Sequence, residues 1–149
     1  MDSINLAIHP ANASCGLMGD IVHITINDRK LIDIIGEAEL RLAMIGSHND
    51  VIGFYRGLEP RALLSQLYRQ YSKTIVLERQ GFHSTEFWPL SVKVTEMGDL
   101  VIWDEFEQSQ GSENTLKYEG LRFVFARRDY DLELLTFLAL VTISWGDDS

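Results

Sequence analysis

The chain has 149 residues, 46% of them hydrophobic, which supplies one ordinary core and is too short for two comfortable domains. Its one cysteine, Cys15, excludes an internal disulfide and a multi-thiol zinc site and fits a reducing, cytoplasmic setting. The formal charge of −9 is uneven: residues 1–50 carry −4, residues 51–98 carry +2 and residues 99–149 carry −7, a distribution that disfavours nucleic acid as a partner and favours a cationic protein.

The amino-terminal MDSINLAIHP has no basic region followed by a long apolar run. The longest apolar stretch, residues 134–145, falls well short of the roughly 20 residues that span a bilayer, so neither export nor membrane insertion is expected. In residues 21–27, Val22, Ile24 and Ile26 alternate with His23 and Thr25, the period of a half-buried strand, and Asn27-Asp28 turns the chain. Leu31, Ile34, Ile35, Ala38, Leu42 and Ile45 then form one stripe of an amphipathic helix ending near Gly46, with Glu37 and Arg41 paired on its wet face.

A turn-rich passage over residues 46–59 leads to Pro60, well placed as the first residue of a second helix. Leu63, Leu64, Leu67, Tyr68 and Tyr71 make its core face, and Arg61, Ser65 and Arg69 its wet one. Residues 74–78 predict a short strand and residues 79–86 a polar loop. The most informative stretch is residues 87–108, FWPLSVKVTEMGDLVIWDEFEQ: two strands joined at Gly98-Asp99, a glycine-first pair suited to a two-residue hairpin. The return strand is apolar on both faces, as an interior strand is, and ends in a knot of carboxylates.

Residues 109–115 look mobile, and residues 116–126, with Leu121, Phe123 and Phe125 on one side, predict another strand. Asp129, Asp131 and Glu133 then cluster where a helix would begin, favourable against the positive end of its dipole, and Leu134, Leu135, Phe137, Leu138 and Val141 supply its buried stripe. Residues 141–145 suit either that helix or a strand. The sum is a single α+β domain over residues 1–149, a mainly antiparallel sheet with about three packed helices.

Catalytic constellations are missing from this pattern. His9, His23, His48 and His83 fall on different elements without metal-motif spacing, and His83 lies in a loop. No serine sits in a glycine-flanked elbow, Cys15 has no identifiable base, and Gly16 and Gly19 are too isolated for a phosphate loop. Neither a metal nor a cofactor is expected, and the protein is not expected to be an enzyme.

Asp104, Glu105 and Glu107 remain open to three roles: a solvated strand end, contacts to a basic protein, or acid–base work. Strict alternation would put Asp104 on the strand face opposite Glu105 and Glu107. Trp88 and Trp103 are either core anchors or interface hot spots.

The succession LIDIIGEAELRLA (31–43), GFYRGLEP (53–60), FWPLSVKV (87–94), LVIWDEFEQ (100–108) and YEGLRFVFARRDYDLEL (118–134) resembles a family of uncharacterised bacterial proteins. The resemblance implies a shared fold and no assigned activity. It also implies cysteines before the WPL triplet in relatives, where this chain has Gln80, Phe82 and Phe87, so no thiol or metal role transfers.

Charge, aromatic content and the absence of catalytic machinery point to a bacterial immunity protein or inhibitor that binds a basic protein, a cognate toxin such as a nuclease. The expected contacts are Trp103, Asp104, Glu105, Glu107, Asp129, Asp131 and Glu133. Two alternatives stand beside it: a structural or regulatory protein without catalytic activity that self-associates, as a homodimer for example, through residues 134–145, and an enzyme using Asp104 or Glu107 with His83.

Overall fold

The computed structural model describes residues 1–9, 20–44, 55–69, 73–80, 87–109 and 115–146. In chain order the elements are β1 (Ile4–His9), β2 (Ile21–Ile26), β3 (Arg29–Lys30), α1 (Leu31–Met44), β4 (Tyr55–Gly57), α2 (Pro60–Tyr68) and β5 (Thr74–Gln80). They continue with β6 (Phe87–Met97), β7 (Leu100–Ser109), β8 (Thr115–Lys117), β9 (Phe123–Ala126) and α3 (Arg127–Gly146). The fold is α+β, with two antiparallel sheets ordered β1-β2-β3 and β4-β5-β6-β7-β8, and with β9 pairing β7 as well.

Local chemistry explains most of these elements. Asn27 and Asp28 both take positive φ, which their short polar side chains tolerate, and they fold β2 back onto β3. Gly98, at φ +58, is the first central residue of the β6–β7 turn, and Met97 pairs with Leu100 across it. Arg127 fixes that hairpin tip to α3: its backbone N–H donates to Asp99 O at 2.8 Å, and its guanidinium reaches Gly98 O and Glu96, each at 3.3 Å.

Among the described residues, two backbone hydrogen bonds join the two sheets. Val22 N–H donates to Leu58 O and Asp2 N–H to Val124 O, both at 2.9 Å. The Asp2 carboxylate strengthens the second seam, accepting from Val124 N–H at 2.7 Å and from the Asn27 amide at 2.8 Å. Leu31 and Ile35 of α1 are fully buried, as are Val22 and Ile26 of β2 to within 1% exposure. Helix α3 lies across β1, β9 and β7 and touches α2.

The structure corrects several expectations. Strand β1 is an addition to the elements predicted from the pattern. Residues 116–126 do not form one strand, because Gly120 at φ +84 turns the chain between β8 and β9. Glu37 forms its close ion pair with Arg29 across the α1 start, and Arg41 is only a weaker electrostatic neighbour. Tyr68 and Leu135, expected on core stripes, are exposed by 47% and 58%. The ambiguous residues 141–145 are helical, since α3 runs to Gly146.

Candidate functional site

Strand β7 changes partners midway along one edge. Leu100 to Trp103 pair with β9, whereas Glu107 to Ser109 pair with β8, and the turn between β8 and β9 spans the gap. On its other edge Lys93 opposes Asp104 but Ser91 opposes Glu107, so β7 holds one extra residue there. The extra residue is Glu105, held at φ +50, and the step is a β-bulge.

The bulge resets the strand's alternation. Trp103, Phe106 and Gln108 all point inward and are buried to within 1% exposure, which leaves Asp104 and Glu107 on the same outward side. Strict alternation would separate them. Glutamate is unfavourable at positive φ, and a branched side chain more so. Glu105→Gly is therefore expected to hold or raise stability by up to about 1 kcal/mol, and Glu105→Val to lower it by about 1–2 kcal/mol. Paired urea titrations would check this; equal midpoints for the two variants would show that the bulge holds no strain.

Asp104, Glu105 and Glu107 line one groove of about 640 Å³ on this face, which Phe106 and Tyr118 also border. Four cations share it: Lys73 contacts Glu107, Lys93 stands 3.4 Å from Glu105, Arg122 stands 4.0 Å from Asp104, and Lys117 opposes Glu107 in the β7–β8 register. With Glu119 the groove holds four carboxylates against four cations, so it is a mixed-charge surface and not the bare acidic one expected from the sequence. Asp104 is the exception in its pairing: its Oδ1 is shielded from solvent and has no hydrogen-bond partner among the described residues.

The remaining expected contacts lie elsewhere. Trp103 is fully buried, its indole N–H donating to Tyr130 Oη at 3.2 Å and its ring edge-on to Phe125 and Tyr130, so it is a core anchor and presents nothing to a partner. The side chain of Trp88 lies outside the described residues, as do His48 and His83. Asp129, Asp131 and Glu133 sit on the first turns of α3 and do not line the groove. Asp131 pairs with Arg127 at 3.7 Å, and Glu133 turns inward to accept from the Leu6 N–H of β1 at 3.1 Å, a structural contact.

Two clusters lie outside the sequence-based expectations. Glu39, only 4% exposed, accepts at Oε1 from the phenols of Tyr55 and Tyr118, each at 2.7 Å, and those two phenols lie 2.9 Å apart. Burial, then the neighbouring Tyr55 and Glu39, push the Tyr118 phenol far above its ordinary range, so it stays protonated. The sequence does hold a clue: Glu39 falls four residues after Ile35 on the helix's apolar stripe. The second cluster is a stack of His9 on His23, ring centres 3.8 Å apart across β1 and β2. Burial, followed by repulsion from His9 and Lys30, holds the His23 imidazole below its usual pKa. Among the described residues no group of histidine, cysteine and carboxylate side chains could hold a metal, and no helix is long and apolar enough to cross a membrane.

No family model matches the chain, and neither a curated protein nor a solved structure does.

Proposed function

We propose that the protein is a cytoplasmic binding protein of the immunity or inhibitor type, carrying out no reaction itself, which neutralises a cationic toxin domain such as a nuclease. The partner's lysine or arginine enters the β7 groove at Asp104. One observation carries this reading: a shielded carboxylate oxygen without a donor among the described residues, beside an arginine that reaches the other oxygen only at 4.0 Å. An acceptor oxygen shielded from water and left unmatched costs at most about 1–3 kcal/mol, so an incoming guanidinium has something to gain at this point.

The surrounding pairs make such an exchange inexpensive. The side chains of Lys73, Lys93 and Arg122 are more than half exposed, and ion pairs of that kind contribute about 0–1 kcal/mol each. The partner's cations can replace them with little loss. Asp104, Glu105 and Glu107 make the contact, and Trp103 and Glu133, both engaged within the fold, take no part in it.

Co-expression with the product of the neighbouring upstream reading frame tests it. The two proteins are expected to co-purify, with the cell protected from that product. Asp104→Arg should abolish both effects, and Asp104→Asn should weaken binding by about 30-fold or more, the loss of one partner of a desolvated charge pair. Asp129→Asn should change little. Absence of association, or equal sensitivity to Asp104→Arg and Asp129→Asn, would remove the proposal.

A further inference from the structure

Helix α3 is apolar on both sides. Its inward side chains Tyr130, Leu134, Phe137 and Val141 are buried, as expected of a helix lying on a sheet. Its outward side is unusual: Leu132, Leu135, Leu140 and Ile143 are exposed by 62, 58, 45 and 63%. At 3.6 residues per turn, positions 132, 135, 139 and 143 fall on one line, with position 140 on its flank.

The two threonine hydroxyls on this side are bonded within the helix. Thr136 and Thr142 donate to the carbonyls of Leu132 and Leu138 at 2.9 and 2.8 Å. From residue 134 to residue 146 the sequence has no ionisable side chain. A solvent-facing helix in a protein of charge −9 normally carries charge there, and a contiguous apolar stripe marks a contact surface.

Beside the stripe lies a groove of about 550 Å³ between α2 and α3, floored by Leu64, Tyr68 and Leu138 and edged by Arg61 and Arg69. Tyr68 is close enough to Asp131 for that carboxylate to help raise its phenol pKa, after burial. The carboxyl end of α2 therefore lies beside the amino end of α3, and Arg61 lies toward α3's later turns.

We propose that this face is the contact between two copies of the chain, related by a two-fold axis that sets the α3 helices antiparallel. Each leucine ridge then seats against the α2–α3 groove of the other copy. A self-complementary contact needs ridge and groove on one surface, and this surface has both. The stripe contributes no like charge to the contact, although the whole molecule is acidic. Opposite signs edge the same face, Asp129 near the amino end of α3 and Arg61 near the start of α2, and the antiparallel arrangement carries Asp129 of one copy toward Arg61 of the other.

Area sets the terms of the contact. A 20-residue helix is about 30 Å long and its stripe about 10 Å wide, so α3 alone covers on the order of 300 Å² per copy. Stable dimers bury about 800 Å² per partner, so the α2 groove has to be engaged as well.

Sedimentation of the full chain from micromolar to submillimolar concentration tests the pairing. The mass is expected to rise from 17.0 kDa to twice that value. Leu135→Glu with Ile143→Glu should weaken dimerisation by at least about tenfold while leaving the thermal melt of the monomer unchanged, because both side chains are exposed. In a Cys15→Ser background, Ala139→Cys should cross-link two copies, and Asp33→Cys, on α1, should not. A monomer at every concentration, or cross-linking that is equal at the two positions, would overturn the proposal. So would a monomer that sediments with anionic lipid vesicles through Leu135 and Ile143, since a lipid surface would then cover the stripe.

Discussion

Replacing Gly57 by alanine is expected to cost at least about 3 kcal/mol of stability, the upper end of what overpacking does. A β-carbon built on Gly57 would lie 2.0 Å from the carbonyl oxygen of Val22 and 2.9 Å from its carbonyl carbon. Both obstacles are backbone, so no rotamer change relieves them. They also belong to the seam between the sheets, where Val22 N–H donates to Leu58 O and is itself almost fully buried. Relief by separation would break that hydrogen bond and open the core between β2 and β4. Gly36 gives the internal control: it lies within α1, and nothing stands within 4 Å of the point its β-carbon would occupy. Gly36→Ala should add about 0.5–1 kcal/mol through helix propensity and a less flexible unfolded chain. Urea unfolding of the two variants reads both signs. A Gly57→Ala midpoint equal to that of the unaltered protein would mean that the sheets are not held together at this contact.

The hairpin shows how far the sequence can be read. Alternation in β6, the glycine-first turn and the two-sided apolar pattern of β7 are local properties, and the structure realises all three. The starts of α1 and α2 are equally local, set by an apolar period and by Pro60. Strand β1 has a legible pattern too, although the predicted elements omit it: Ile4, Leu6 and Ile8 alternate with Asn5, Ala7 and His9. The break at Gly120 is signalled by the glycine itself. The bulge at Glu105 has no such signal, because glutamate carries no preference for positive φ and the extra residue is dictated by which strands pair with β7 on its two edges. That one residue decides whether three carboxylates share a groove. Trp103 illustrates the opposite limit, since the sequence permits both a core and a surface role and only packing against Phe125 and Tyr130 distinguishes them.

The Glu39 cluster is expected to govern both core stability and the response to alkali. Tyr118→Phe removes one of the two phenolic donors to a carboxyl oxygen that is almost fully buried, at an expected cost of about 2 kcal/mol. Tyr55→Phe should cost a similar amount. The double variant removes both phenolic hydroxyls at once, and its loss should exceed the two single losses added together by about 1 kcal/mol or more, the coupling of a shared network. Glu39→Gln keeps an acceptor oxygen in place and should be the mildest of the set. In alkali the sign follows from the direction of the phenol shifts. Tyr118 and Tyr130 are both held, chiefly by burial, well above the ordinary tyrosine pKa of 10.0. Below pH 10 both states keep these phenols protonated and stability is unaffected by them. Above it the unfolded chain loses the protons and the folded one retains them, so stability falls as pH rises, by about 1.4 kcal/mol per pH unit for each such tyrosine. Tyr118→Phe should remove one of those two increments from the slope of unfolding free energy against pH between 10 and 11. A slope that is the same in the variant and the unaltered protein would show that the Tyr118 phenol ionises freely and that the cluster does not enclose it.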